Sequence, residues 1–355
     1  MDQQFLDRLV EPAVGKGNVA GAVLHVTSGD GRLDLTSCAG NLQAGSRYYV
    51  ASINKLYMSA LILRLATQRR LRLDDRLADF APAEAISGLH VLDGSDSSAR
   101  ITLRHLLSQT SGLPDYLEDK QADGRVALRD LEAGLDPAWP LEKVVEAVKS
   151  MPAHFPPGAP GKARYGDTGH QLLELVVEQV TGGSTRQALQ GVFDELGMSD
   201  TNVAGGPTAD DGAGSDAAPR PSAHVPVRFK GREIGIGRFI GSTGNDIVST
   251  ARDQMTFLRA FFAGRFWPKE RLGELDQWNR VFFPFEYGVG IQRLVLPRAM
   301  TLFRRVGPMV GHAGSVGSVA FYSPADDVYF TGTVNQQAKP SAIYRPMIRA
   351  LMSLR

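Results

Sequence analysis

Apolar and polar positions divide the chain into three stretches of different period. Residues 4–14 place Phe5, Leu6, Leu9 and Val10 at helical spacing, which predicts a short amphipathic helix. Residues 19–28 (VAGAVLHVTS) are rich in β-formers. Gly29, Asp30 and Gly31 follow, and RLDLTSCAG then alternates apolar and polar. That pattern predicts a β-hairpin with a glycine-containing turn. Tyr48-Tyr49-Val50 is a further short β-like run. From Ser52 the period becomes helical. Leu56, Leu61, Leu63 and Leu65 lie in an apolar stretch free of Gly and Pro, which predicts a long helix buried on most sides.

The segment 79–165 mixes short helical patterns with Pro and Gly punctuation. Residues 141–151 and 169–181 carry its clearest helices, and Gly182-Gly183 stops the second. Residues 205–226 are Gly-, Pro-, Ala- and Asp-rich and predict a mobile surface loop. Thr250 and Asp253 form a capping-box-like start for a helix ending near Gly264. The last quarter returns to β character at 287–296, 316–322 and 328–334, before a helix over roughly 341–354. Strands at both ends of a chain commonly pair into one sheet. The expectation is an α+β fold: an antiparallel sheet flanked by helices, from residues 1–78 and 235–355. Residues 79–234 form an inserted, mostly helical lobe, with a ligand cleft between the two.

Composition narrows the function. The 355 residues suit two domains, or one with an inserted lobe. Thirty-nine Lys+Arg against 38 Asp+Glu argues against a nucleic-acid partner, whose phosphates demand excess positive charge. No run approaches ~18 apolar residues, so no spanning helix is expected. The start, MDQQFLDRLVEPAVG, is acidic and lacks the apolar core of a secretory signal. Cys38 stands alone, which rules out an intrachain disulfide and a cysteine metal cage. A cytoplasmic location is expected, with a periplasmic one left open. The seven histidines show no zinc-site spacing, and no glycine-rich phosphate loop follows a strand. No metal or cofactor is expected.

Three short motifs carry chemistry. Ser52-Ile53-Asn54-Lys55 sets a lysine amine on the same helix face as a serine hydroxyl. Serine needs an adjacent base to act as a nucleophile, and lysine is a base only when its pKa is lowered. A helix start also supplies backbone N–H groups for a developing oxyanion. Tyr165-Gly166-Asp167 opens the helix at 169–181. Tyr165 can relay protons if a cation tunes it, whereas Asp167 alone also fits a helix N-cap. His312-Ala313-Gly314 precedes a β run, with His312 expected at the mouth of a site and Gly314 allowing close backbone approach. Ala313-Gly314-Ser315-Val316-Gly317 has the outline of a nucleophile elbow, but Ser315 enters a β run and no histidine follows it.

The order Ser-x-x-Lys, Tyr-x-Asp, His-x-Gly resembles the serine β-lactamase and penicillin-binding-protein superfamily. The resemblance is to its class C β-lactamase-like branch of esterases, D-aminopeptidases and DD-peptidases. It spans nearly the whole chain through VASINKLYMSALILRLATQRRLRLDD, ITLRHLLSQTSGLPDY, FPPGAPGKARYGDTGHQLLELVVEQVTG, ELGMSDT, STGNDIVSTARD, YGVGIQ and GHAGSVG. It implies a β-lactamase/transpeptidase-like fold with the site between sheet and helical lobe. It implies Ser52 as acylated nucleophile, Lys55 as base and Tyr165 as the motif tyrosine. It implies an oxyanion hole from the backbone N–H groups of Ser52 and Ser315. Asp167, His312, Ala313 and Gly314 fall at substrate-binding positions.

Three departures matter. Asp167 stands where penicillin-handling members have Asn, and an ionised carboxylate cannot donate to a substrate carbonyl. His312 stands where β-lactamases have Lys, and histidine is mostly neutral at pH 7. Gln109 replaces the family's usual histidine after Leu-Leu-Ser. These features imply a serine hydrolase with a small ester as substrate. A D-amino-acid amidase or peptidase, a weak β-lactamase, an acyltransferase and a silent ligand-binding sensor are the alternatives. Oligomeric state leaves no motif to read.

Overall fold

The computed structural model describes residues 1–205, 224–301 and 303–355. Most of the predicted loop at 205–226 lies outside the described residues. An eight-stranded antiparallel sheet forms the framework. Its strands are β1 (Gly21–Ser28), β2 (Asp34–Gly40), β3 (Asn279–Phe282), β4 (Phe285–Tyr287), β5 (Gln292–Leu294), β6 (Met309–Gly314), β7 (Ser318–Ser323) and β8 (Val328–Thr333). The spatial order is β3-β4-β5-β6-β7-β8-β1-β2. The C-terminal strands thus run as a meander, and the N-terminal hairpin closes onto the last of them. β1 pairs antiparallel with β8 from Val23 opposite Thr333 to Ser28 opposite Val328.

β1 is buried on both faces because helices cover both. On one side Ala22, Leu24 and Val26 pack with Leu6 and Val10 of α1 (Gln3–Val10) and with Met347 and Leu351 of the C-terminal helix. On the other, Thr27 reaches Met255 of the helix Ala251–Phe262. Thr250 caps that helix by accepting from the Asp253 N–H at 3.1 Å. The Asp253 carboxylate turns instead to the Asp200 N–H, so only half of a capping box forms.

The central helix α2 (Asn54–Thr67) is buried over almost its whole surface, as its unbroken apolar stretch predicted. Helix α3 (Thr168–Thr181) packs beside it. A small sheet, Tyr48–Tyr49 with Ile247–Ser249 and Asn202–Val203, ties the entry to α2 into the rest of the fold.

Two strand predictions are corrected. Residues 287–296 form parts of two strands, β4 and β5, because the chain reverses at Gly288 and Gly290. The Gly288 N–H donates to Ile291 O at 2.8 Å, and Gly290 takes φ +74°. The run at 316–322 begins later, at Ser318. Gly314–Gly317 is a turn, closed by Gly317 N–H on Gly314 O at 3.0 Å. Ser315 therefore sits on a hairpin turn, and His312 lies inside a strand. Among the described residues, no helix is long and apolar enough to cross a membrane.

Candidate active site

Ser52 is aimed by an unusual backbone. Tyr48 and Tyr49 pair with Ser249 and Val248, and the Val50 N–H donates to Ile247 O at 3.0 Å. Ala51 then adopts φ +51°, a left-handed conformation that costs a side-chain-bearing residue energy. Ser52 follows in a single 3₁₀ turn, Ala51–Ile53, and the α-helix proper starts at Asn54. Lys55 is on the first turn of α2 and is 1% exposed. Its Nζ donates to Ser52 Oγ at 3.2 Å.

Tyr165 and Asp167 arrive from the N-terminus of α3. Asp167 occupies the N-cap position but its side chain makes no cap bond. Its carboxylate instead pairs with Lys55 Nζ. Asp115 does the capping: its carboxylate accepts the Asp167 and Thr168 N–H groups on one oxygen and those of Leu117 and Glu118 on the other. Gln109 clamps the turn between Tyr165 and Asp167. It donates to Gly166 O and accepts from Gly166 N–H, both at 3.0 Å. The Lys55 ammonium lies 5.1 Å from the Tyr165 ring centre, and both Ser52 and Lys55 favour the ionised form of the Tyr165 phenol.

The third motif differs from expectation. His312 is fully buried in β6 and does not line the cavity. Its Nδ1 faces Ala313 O at 2.7 Å and its Nε2 faces the Tyr287 hydroxyl at 3.0 Å. A neutral ring, donating from Nδ1 and accepting at Nε2, satisfies both. The expected place at the mouth is taken instead by the backbone of Ala313, Gly314 and Ser315. Gly314 has no room for a side chain: a Cβ there would lie 2.5 Å from Val50 O. This close approach brings the Ser315 turn beside Ser52. Neither the Ser52 nor the Ser315 N–H donates to a protein acceptor among the described residues.

These residues border a cavity of about 820 Å³. Ser52, Tyr165, Asp167, Ala313, Gly314 and Ser315 line it, and Lys55 lies beneath its floor. Tyr116 lines it too, whereas Trp139 sits behind, its ring 5.2 Å from that of Tyr116. Asp246 reaches the same cavity. It accepts from the Tyr49 hydroxyl at 2.5 Å, and burial pushes its carboxyl up to about 6. Glu118 adds a third acidic side chain to the lining. The cations at the rim are Lys162 and Arg164, and Arg164 pairs with Asp119.

Electrostatics set the protonation states. Burial alone would lower the Lys55 pKa, but the Asp167 carboxylate and Tyr165 outweigh it, and the net direction is up. Burial pushes the Tyr165 phenol up to about 12; Lys55 pulls it down and Asp167 pushes it up. Burial pushes His312 down to about 3, and the Lys55 charge adds to that. The sequence placed Ser52, Lys55, Tyr165 and Asp167 together, and the fold does bring them together. It gave no sign of the parts played by Asp115, Asp246 or the left-handed Ala51. Asp115 stood in the quoted SGLPDY stretch, where an aspartate after proline is a common turn and cap residue.

The Beta-lactamase family model matches residues 6–352, and the chain belongs to that family. A D-stereospecific amidohydrolase from Streptomyces sp. superimposes with a TM-score of 0.76 at 24% identity, covering 97% of this chain and 98% of that one. EstCE1, a hydrolase with promiscuous acyltransferase activity, superimposes with a TM-score of 0.71 at 20% identity, covering 98% and 97%. At these identities the likeness is one of fold. Protein flp of Staphylococcus aureus (strain N315) is 25% identical over 187 residues, half of this chain and 34% of that protein. The chain spans about a third of the length of the curated relatives it matches.

Proposed function

We propose that this chain hydrolyses small carboxylic esters through an acyl-enzyme on Ser52. The observation that carries the proposal is the Lys55–Ser52 contact beside a cavity that Ser52 and Ser315 line, the N–H of each without a backbone partner among the described residues. Sheet residues (1–78 and 235–355) and helical-lobe residues (79–234) both contribute to that cavity, which supports the two-lobe division.

Lys55 departs from the role of neutral base, because Asp167 holds it as a cation. In this mechanism the Ser52 proton passes to the Tyr165 oxygen in molecules where Tyr165 has ionised, and the Lys55 ammonium stabilises that phenolate. Ser52 Oγ bonds to the ester carbon while the oxyanion rests on the Ser52 and Ser315 N–H groups. Such donors are each worth about 10²–10³ in rate. The bond to the leaving oxygen then breaks, and Tyr165 returns the proton to it. Water attacks the acyl group by the same route in reverse and frees Ser52.

The charge pattern favours an uncharged ester over a β-lactam. Asp167 is paired with Lys55, burial pushes Asp246 up to about 6 and Glu118 up to about 7 so that both keep part of their charge at neutral pH, and His312 offers no charge to a substrate carboxylate. The same acidic lining supports one second reading, an amidase for substrates bearing an ammonium group. The test is a hydrolysis panel of p-nitrophenyl esters, a chromogenic cephalosporin and D-alanine p-nitroanilide. Faster ester turnover that vanishes in Ser52→Ala supports the proposal. A better rate on the anilide replaces it with the amidase, and a better rate on the cephalosporin with a β-lactamase.

A further inference from the structure

We infer that Phe282 is a specificity residue, and that the substrate carries a bulky apolar group, aromatic for preference, next to the scissile bond. The inference rests on the ester-hydrolase proposal and adds the class of substrate.

The hairpin β3–β4 folds its tip against the site. Phe282 lines the cavity and meets the Tyr165 ring edge-to-face, with ring centres 5.5 Å apart. It also stands directly opposite Phe285, their rings 5.2 Å apart, and Phe285 packs against Tyr344 at 6.0 Å. Val281, Phe285 and Tyr344 line the same wall. Phe285 is 6% exposed, as a core residue should be, but Phe282 is 45% exposed. An aromatic ring held by two ring neighbours with nearly half its surface still open offers a prepared apolar surface, and covering it is favourable. Because its neighbour Tyr165 is the proposed proton carrier, a group packed on Phe282 lies beside the reacting carbonyl. A cavity of about 820 Å³ is also far larger than an acetyl ester fills.

Two substrate pairs test this on the full chain: p-nitrophenyl phenylacetate against acetate, and benzyl butanoate against methyl butanoate. The expected result is an aromatic preference in kcat/KM of about tenfold or more in at least one pair. Phe282→Ala should reduce that preference to within about threefold, mainly through KM. Phe282→Leu, which keeps an apolar side chain, should fall between the two and serves as the second variant if the alanine form folds poorly. A preference that survives Phe282→Ala, or no aromatic preference in either pair, overturns the inference while leaving the hydrolase proposal standing. Failure of the wild type to turn over any ester, with no fluorophosphonate label on Ser52, overturns the hydrolase proposal itself.

Discussion

Ser52 and Lys55 owe their contact to a three-residue spacing, but their charge state to Asp167, 112 positions further on. The Asp167 carboxylate raises the pKa of both Lys55 and Tyr165. Removing it should lower both. The rising limb of kcat/KM, set by ionisation of Tyr165 to the phenolate that takes the Ser52 proton, should therefore move to lower pH by about one unit or more in Asp167→Asn. A pH–rate profile that does not move would remove Asp167 from the mechanism. His312 gives a second prediction, in stability. Its ring falls from 6.5 unfolded to about 3 folded. The unfolded chain binds the extra proton below pH 6.5, so stability is lost as pH falls from there toward 3. Urea unfolding of His312→Gln should lose about 2 kcal/mol less than wild type between about pH 7 and pH 5. The motifs made Ser52, Lys55 and Tyr165 legible in the sequence. The ion pair was not legible, since Asp167 fitted a helix cap equally well until the fold gave that job to Asp115.

At the scale of elements, the site is a meeting of three chain turns. The left-handed Ala51 turn presents Ser52, the Asp115-capped start of α3 presents Tyr165 and Asp167, and the β6–β7 turn presents Ser315. Gly314 governs the distance between the first and third. Ser318 Oγ bonds Val50 O at 2.7 Å just where a Cβ on residue 314 would intrude. Gly314→Ala should therefore push β6 away from Ser52. The expected cost is about 1–3 kcal/mol of stability and a fall in kcat larger than any rise in KM. Equal kcat in the folded variant would show that the Ser315 amide does not act in the reaction. Periodicity revealed the long helices and the first hairpin well. It misread 287–296 as one strand because Gly288 and Gly290 reverse the chain within a β-like run, and period alone does not mark such a reversal.

For the whole molecule, the sheet is closed by residues from opposite ends of the chain, β1 on β8. The sequence layout suggested this closure, since strands at both ends need a common sheet to bury them. The strand order and the two-faced burial of β1 required the fold. Leu24 lies at the centre, fully buried between α1 and the C-terminal helix. Leu24→Ala should cost about 2–5 kcal/mol while kcat/KM per folded molecule stays unchanged. Thermal unfolding with an active-site titration separates the two effects, and a loss of kcat/KM per titrated site would show that this core reaches the chemistry.

The central claim is that Ser52 forms a covalent acyl-enzyme. Intact-mass and peptide mass spectrometry, after incubation with a fluorophosphonate, tests it most directly. The account predicts one adduct per chain, located on Ser52 and lost in Ser52→Ala. An adduct on Ser315, or labelling that persists in Ser52→Ala, would contradict it.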